Sequence, residues 1–271
     1  NKPQYAWYQK NTEQELQKEL DGMEGVFAII WYDHQNAKLT PGAFSLDKAY
    51  NAKEKHNSLI LRSSWENPNA IYSGLQGGSN QDNHMYLSLG TFVLEANGKR
   101  WITMRGRGDY NYPNYFSKTA PDSTRWTYYV ARAEAQNTII ANPTNLADQE
   151  IKAQADVIAF ESGPNESFGV LNMTQTNAAF TDAKRGMYMT NNRSKVTLQD
   201  EIKTNKPSEI WWFAHTGADI TISEDGKSAL LTLDTGTSNE KRMWVNIAQG
   251  PAEARLMVMD SVPLPTSPNP S

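Results

Sequence analysis

The chain has 271 residues, of which 38% are hydrophobic, and a formal net charge of −4. That length suits one large β domain, or one domain with a piece of another. The acidic balance argues against a general nucleic-acid binder, and no apolar run reaches membrane-spanning length. The absence of cysteine excludes disulfides and thiolate metal sites.

In chain order, residues 12–32 read as one amphipathic helix. Thr12 is its N-cap with Glu15 three residues on, and Leu16, Leu20, Met23, Phe27 and Ile30 share one face. An apolar stripe of this length needs a surface to cover it. Beyond Tyr32 the pattern changes to short strands, predicted over 58–65, 70–76, 86–96 and 100–106. Asn97-Gly98 marks a hairpin between the last two. Further strands are predicted over 126–132, 137–141, 156–161, 186–189, 195–201, 210–215, 220–223, 228–233, 242–247 and 254–259. Asn191-Asn192, Glu224-Asp225-Gly226 and the 234–239 run read as turns, and the proline-rich tail 263–271 as extended. Many short strands at even spacing favour a mainly β chain folded as a large antiparallel β-sandwich.

The residues with chemical potential are few. Four histidines, His34, His56, His84 and His215, lie far apart, without metal-ligand spacing, and no phosphate loop or nucleophile elbow is present. His84 follows a Gly/Ser/Asn loop, where a scaffold commonly presents side chains. Either it is functional or it is a structural histidine. Asn80, Gln81 and Asn83 around it can bind hydroxyls or merely solvate a loop. Lys99, Arg105 and Arg107 fall on one side if the strand continues, forming either a polyanion strip or a solvated face. The run 110–116, YNYPNYF, is a sugar platform or a packed loop, with Tyr110 its first ring. Trp211-Trp212-Phe213 reads as core, and His215 as structural.

Several segments in order resemble the heparinase II/III-like polysaccharide lyases: 59-LILRSSWENPNAIYSGLQGG-78, 84-HMYLSLGTFVL-94, 100-RWITMRGRGDYNYPNYF-116, 125-RWTYYVARAEAQNT-138, 210-IWWFAHT-216 and 256-LMVMDSVPLPTSPNP-270. The resemblance covers the chain from about residue 40 onward. It implies an N-terminal α/α toroid joined to a β-sandwich, with substrate between them. Residues 1–40 would then hold the toroid's closing helix, the rest of that toroid lying outside this sequence, and 41–271 the β-sandwich. It further implies β-elimination on a uronic-acid-containing polysaccharide, by a periplasmic or secreted bacterial enzyme, with this fragment inactive by itself. His84 matches the family's β-domain catalytic histidine. Asn80, Gln81, Asn83, Arg105, Arg107 and Tyr110 become the expected substrate contacts. The family's zinc ligands fall on Tyr86, Met104 and Gln136, poor replacements for imidazole and carboxylate, so no metal or other cofactor is expected. The expected partners are an acidic polysaccharide and the toroid of the same protein, with neither nucleic acid nor membrane. The alternative is a non-catalytic carbohydrate-binding or structural sandwich descended from a lyase.

Overall fold

A computed structural model describes residues 45–51 and 56–268. The predicted helix at 12–32 lies outside them. The chain divides after Leu46, and the unit described is the one that begins at Asp47.

Strands β1 (Lys48–Asn51), β2 (Asn57–Arg62), β3 (Tyr72–Gln76), β5 (Phe92–Ala96) and β6 (Lys99–Ile102) form an antiparallel sheet in the order β1-β2-β3-β5-β6. β2 shows why: Asn57, Leu59 and Leu61 are buried while Ser58, Ile60 and Arg62 are less so, the period of two that puts one face on a core. The hairpin between β5 and β6 turns at Asn97 (φ 55°) and Gly98 (φ 69°), the left-handed pair that matches the strand twist. A second antiparallel sheet runs β12-β11-β10-β9, from β9 (Val157–Ser162), β10 (Ser167–Asn172), β11 (Phe180–Thr190) and β12 (Lys195–Thr204). β14 (Asp219–Ile222), β15 (Ser228–Leu233) and β16 (Lys241–Asn246) make a third. Short pairs join β4 (Gly78–Ser79) to β8 (Gln154–Ala155) and β7 (Ile139–Ala141) to β13 (Ile210–Trp212).

The core is a shared layer. Leu59, Leu61, Leu75, Phe92 and Trp101 of the first sheet meet Leu171, Met187 and Met189 of the second and Leu231 of the third. Gly169 of β10 marks the close approach: a Cβ there would stand 2.6 Å from both methyls of Leu59. β10 is not among the strands expected from the sequence. A smaller core of Leu87, Trp126, Ala131, Ala133, Ile140 and Leu264 lies beneath the segment 124–137.

Two predicted strands, and the first part of a third, are replaced by irregular chain. Residues 86–91 turn instead at Leu89-Gly90, with Gly90 at φ 81° and a Cβ there only 2.5 Å from Met173 Cε. Residues 124–135 form successive 3₁₀ turns, Thr124–Thr127, Tyr129–Ala131 and Ala133–Ala135. Here a side chain does the work of a neighbouring strand. The buried Arg132 donates to the carbonyls of Trp126 (2.7 Å), Leu146 (2.9 Å) and Thr144 (3.1 Å), and pairs with Glu134 at 2.7 Å. Residues 254–259 also lack strand pairing. The tail is anchored rather than simply extended: Glu134 Oε2 accepts from Leu264 N (3.1 Å) and Ser267 Oγ (2.7 Å).

Candidate functional site

Beyond β4 the chain doubles back through hydrogen bonds to Ser79, whose Oγ accepts from Gln81 N at 3.2 Å. The turn delivers His84 with its side chain exposed and its backbone at φ 61°. A non-glycine residue reaches that region at a cost of about 1–2 kcal/mol, so something must hold it there. Arg125 does. Its side chain is 1% exposed and reaches under the turn. Nη2 donates to the carbonyls of His84 (3.1 Å) and Met85 (2.9 Å), Nε to Met85 O (3.2 Å) and Nη1 to Tyr115 O (3.1 Å).

These acceptors are neutral carbonyls, and among the described residues no carboxylate pairs with this guanidinium. Aromatic rings surround it instead, with Tyr115 at 4.5 Å, Tyr86 at 5.3 Å, Trp126 at 5.8 Å and Phe116 at 5.9 Å. Ring faces stabilise a cation without cancelling its charge. The field reaches Lys118, whose amine burial and Arg125 push down while Asp82 pulls it up. Lys118 Nζ in turn donates to Asp82 O at 2.8 Å, bracing the same turn. His56 Nε2 lies 2.6 Å from Asp82 Oδ2.

The face above Arg125 is aromatic. Tyr110 stacks on His84 at 5.6 Å and 27°, and Phe116 meets the same imidazole edge-on at 5.7 Å. Tyr110 is 49% exposed, so the ring pair presents a flat surface to solvent. Beneath it, Tyr86 Oη lies 3.0 Å from Tyr115 Oη and accepts from Gly108 N at 2.9 Å. Burial, reinforced by the bond with Tyr86, pushes the Tyr115 phenol up and keeps it protonated. Only a glycine fits at 108, where a Cβ would stand 2.8 Å from Val130 Cγ1 and 2.9 Å from Tyr115 Oη.

A second polar group stands at the other end of the 103–117 connection. Asn137 Nδ2 donates to Phe92 O (2.8 Å) and Thr103 O (2.7 Å), which leaves Oδ1 as acceptor. That oxygen takes the backbone N–H of His215 at 2.7 Å and lies 3.2 Å from its Nδ1. The proton is therefore on Nδ1, and the Nε2 lone pair faces Tyr129 Oη at 3.3 Å. Burial, then the charge of Arg105, pushes His215 below its usual pKa, so the ring is neutral at pH 7. Burial likewise pushes the Tyr129 phenol up.

The expected contacts fare differently. His84, Gln81, Asn83, Arg105, Arg107 and Tyr110 are all exposed. Asn80 is corrected: it is 1% exposed, and its amide donates to Gln149 Oε1 (3.2 Å) and Glu150 O (3.0 Å). It braces the loop and offers no face to a ligand. The basic strip is also corrected. β6 ends at Ile102, so strand alternation does not carry on to Arg105 and Arg107, and Lys99 pairs with Asp234. Trp212 is not core but exposed, whereas Trp211 packs on the smaller core. Tyr86, Met104 and Gln136 do not fit a metal ion. The Tyr86 phenol is committed to Tyr115 and Gly108, Gln136 Nε2 donates to Val130 O at 3.0 Å, and the Met104 side chain is 45% exposed. A buried amide oxygen, Gln136 Oε1, has no partner among the described residues, but one neutral oxygen cannot hold a zinc ion. Sequence reasoning missed Arg125, Tyr129 and the pairing of His215. Its one usable signal was an arginine inside an aromatic segment.

The described residues thus form layered antiparallel sheets, a β-sandwich bearing a turn-mounted histidine and aromatic loops. The comparisons agree. The Heparinase II/III-like, C-terminal profile matches residues 69–267, and the chain belongs to that family. Heparan sulfate lyase HepC from Pedobacter heparinus superposes with a TM-score of 0.59 at 15% identity, over 87% of this chain and 33% of that one. A heparinase III gene product gives 0.57 at 14% identity, over 85% and 32%. Another heparinase III gives 0.52 at 16%, over 69% and 28%. The chain thus spans about a third of the length of these lyases, and at such identities the likeness concerns the fold. No curated protein sequence matches.

Proposed function

We propose that this chain is the β-domain of a polysaccharide lyase that cleaves a uronic-acid-containing polysaccharide by β-elimination. The observation that carries this reading is the exposed His84, held in a left-handed turn over a guanidinium with no counterion among the described residues, in a chain of this family. Elimination removes the proton on C5 and expels the sugar at C4. The adjacent carboxylate must be neutralised for that proton to become acidic. His84 can supply the neutralising charge when protonated, or exchange the C5 proton when neutral. The field of Arg125 favours an anion beside it, and Arg105 and Arg107 are exposed and can hold carboxylate or sulfate. The remaining catalytic groups would come from an N-terminal α/α toroid, so the chain alone is proposed to be inactive. A periplasmic or secreted site in a bacterium follows from the same reading.

The stack of Tyr110 on His84 also favours a second reading, a non-catalytic sugar-binding domain, since such a platform needs no toroid. The full-length gene product, offered uronate polysaccharides and followed by absorbance of the new double bond, separates the two. His84→Ala should lower cleavage about a hundredfold while leaving the melting temperature nearly unchanged, because the side chain is exposed. Binding without cleavage would favour the second reading. An unaltered rate in the variant would remove His84 from the mechanism.

A further inference from the structure

Polar groups gather around Tyr129, and of these the elimination reading above draws on Arg105 alone. Three functional groups converge there with bonding capacity to spare. Tyr129 Oη has two hydrogen-bond neighbours, His215 Nε2 at 3.3 Å and Ser261 Oγ at 3.4 Å. Both are far longer than the usual O–H···acceptor distance of about 2.7–2.8 Å, so the phenol is poorly satisfied. The imidazole is fixed by Asn137 with its lone pair toward Tyr129 Oη, over a distance long enough for a better-placed donor to compete. Arg105 lies with its guanidinium carbon 5.5 Å from the Tyr129 ring centre, exposed, and with no carboxylate partner among the described residues. A planar cation, a phenol and a neutral imidazole acceptor together match a sugar that carries both a hydroxyl and an anionic substituent.

The position relative to His84 adds a second argument. Arg105 and Tyr110 belong to one connection, five residues apart, so their Cα atoms are separated by at most roughly 18 Å. Tyr110 stacks on His84 at one end, and at the other Thr103 N donates to His215 O at 2.9 Å. Both ends are thus tied to fixed parts of the fold, within the reach of one short oligosaccharide.

We infer that Arg105, Tyr129 and His215 form an anionic-saccharide subsite, separate from the His84 platform, that holds a neighbouring acidic unit of the same chain. Arg105 takes the carboxylate or sulfate, and Tyr129 with His215 takes a hydroxyl. This rests on the proposed saccharide-binding role, though not on turnover.

The test is calorimetric titration of the full-length gene product, in low salt, with three probes: an unsulfated uronate oligosaccharide, its sulfated counterpart, and the carboxyl-reduced neutral form. Arg105→Gln should weaken binding of at least one acidic probe about tenfold and leave the neutral probe unaffected. Whichever acidic probe shows the loss identifies carboxylate or sulfate as the bound group. Tyr129→Phe should weaken the acidic and neutral probes alike, about threefold or more, because it removes a hydroxyl contact. Thermal melts check that this half-buried variant stays folded, and the exposed Arg105 keeps the test independent of that question. Equal affinity of wild type and Arg105→Gln for both acidic probes overturns the inference. So does an equal loss on the neutral probe, or failure of the wild type to bind any acidic probe. A protein that binds through Arg105 yet cleaves nothing would sink the lyase reading and leave this subsite standing.

Discussion

Replacing Arg125 by methionine removes the group that holds the His84 turn. The side chain is fully buried and supplies hydrogen bonds to three backbone carbonyls, those of His84, Met85 and Tyr115. A buried carbonyl left without a donor costs about 1–3 kcal/mol. One of the three, that of His84, sits where water can partly reach it, and the variant no longer desolvates a charge. The net loss should therefore be about 3–5 kcal/mol, or roughly 10 °C in melting temperature for a unit of this size. Denaturation by urea, followed by circular dichroism, measures it. Arg125→Lys separates charge from geometry: it should lose most of the same stability while keeping a cation in place. Lys118 supplies an independent readout, since its amine is held down by burial and by Arg125. Its titration, followed by side-chain NMR, should move up in Arg125→Met and stay low in Arg125→Lys. A methionine variant that loses less than about 1 kcal/mol would show that the turn holds itself, and the argument that Arg125 supports His84 would fail.

Three further outcomes follow from the same contacts. Burial alone would raise Asp47, but hydrogen bonds from Arg193 and Ser162 and the charge of Arg193 outweigh it, so its pKa is lowered. That stability is fully present above the unfolded value of about 3.9 and is lost as pH falls through the lower folded value. Asp47→Asn should thus cost about 3 kcal/mol at pH 7 and flatten the acid limb of the stability curve. An acid limb as steep as wild type would contradict it. Gly108→Ala should cost about 1–3 kcal/mol, because the new methyl collides with Val130 and the Tyr115 hydroxyl; a neutral effect in a melt would show that the loop gives way freely. For His215, burial and then Arg105 lower the pKa, so its neutral form supports the fold above about pH 6.5, and that support is lost as pH falls below it. Its NMR titration midpoint should lie below that value and rise in Arg105→Gln; a midpoint above it would refute the assignment of a neutral, burial-lowered ring.

Turns and strand faces were written locally. Asn97-Gly98 and Asn191-Asn192 specify left-handed turn conformations by residue type alone, and both occur where the dipeptides place them. Alternation in β2 likewise states which side chains face a core, without needing to know the partner sheet. The antiparallel, mainly β architecture followed from such local signals. Position within the site did not. Gly169 has its reason only in Leu59 packed against it, and residues 126–132 read as a strand until Arg132 supplies donors that a neighbouring chain would otherwise provide. Asn80 looks like a surface ligand until Gln149 and Glu150 close over it. Arg125 reaches His84 across 41 residues, and Tyr129 meets His215 across 86. A residue's period and turn preference are properties of its nearest neighbours in the chain, whereas burial and hydrogen-bond partners depend on which distant segments pack together. The histidine was therefore visible from its surroundings in the chain, and the cation beneath it only from the folded packing.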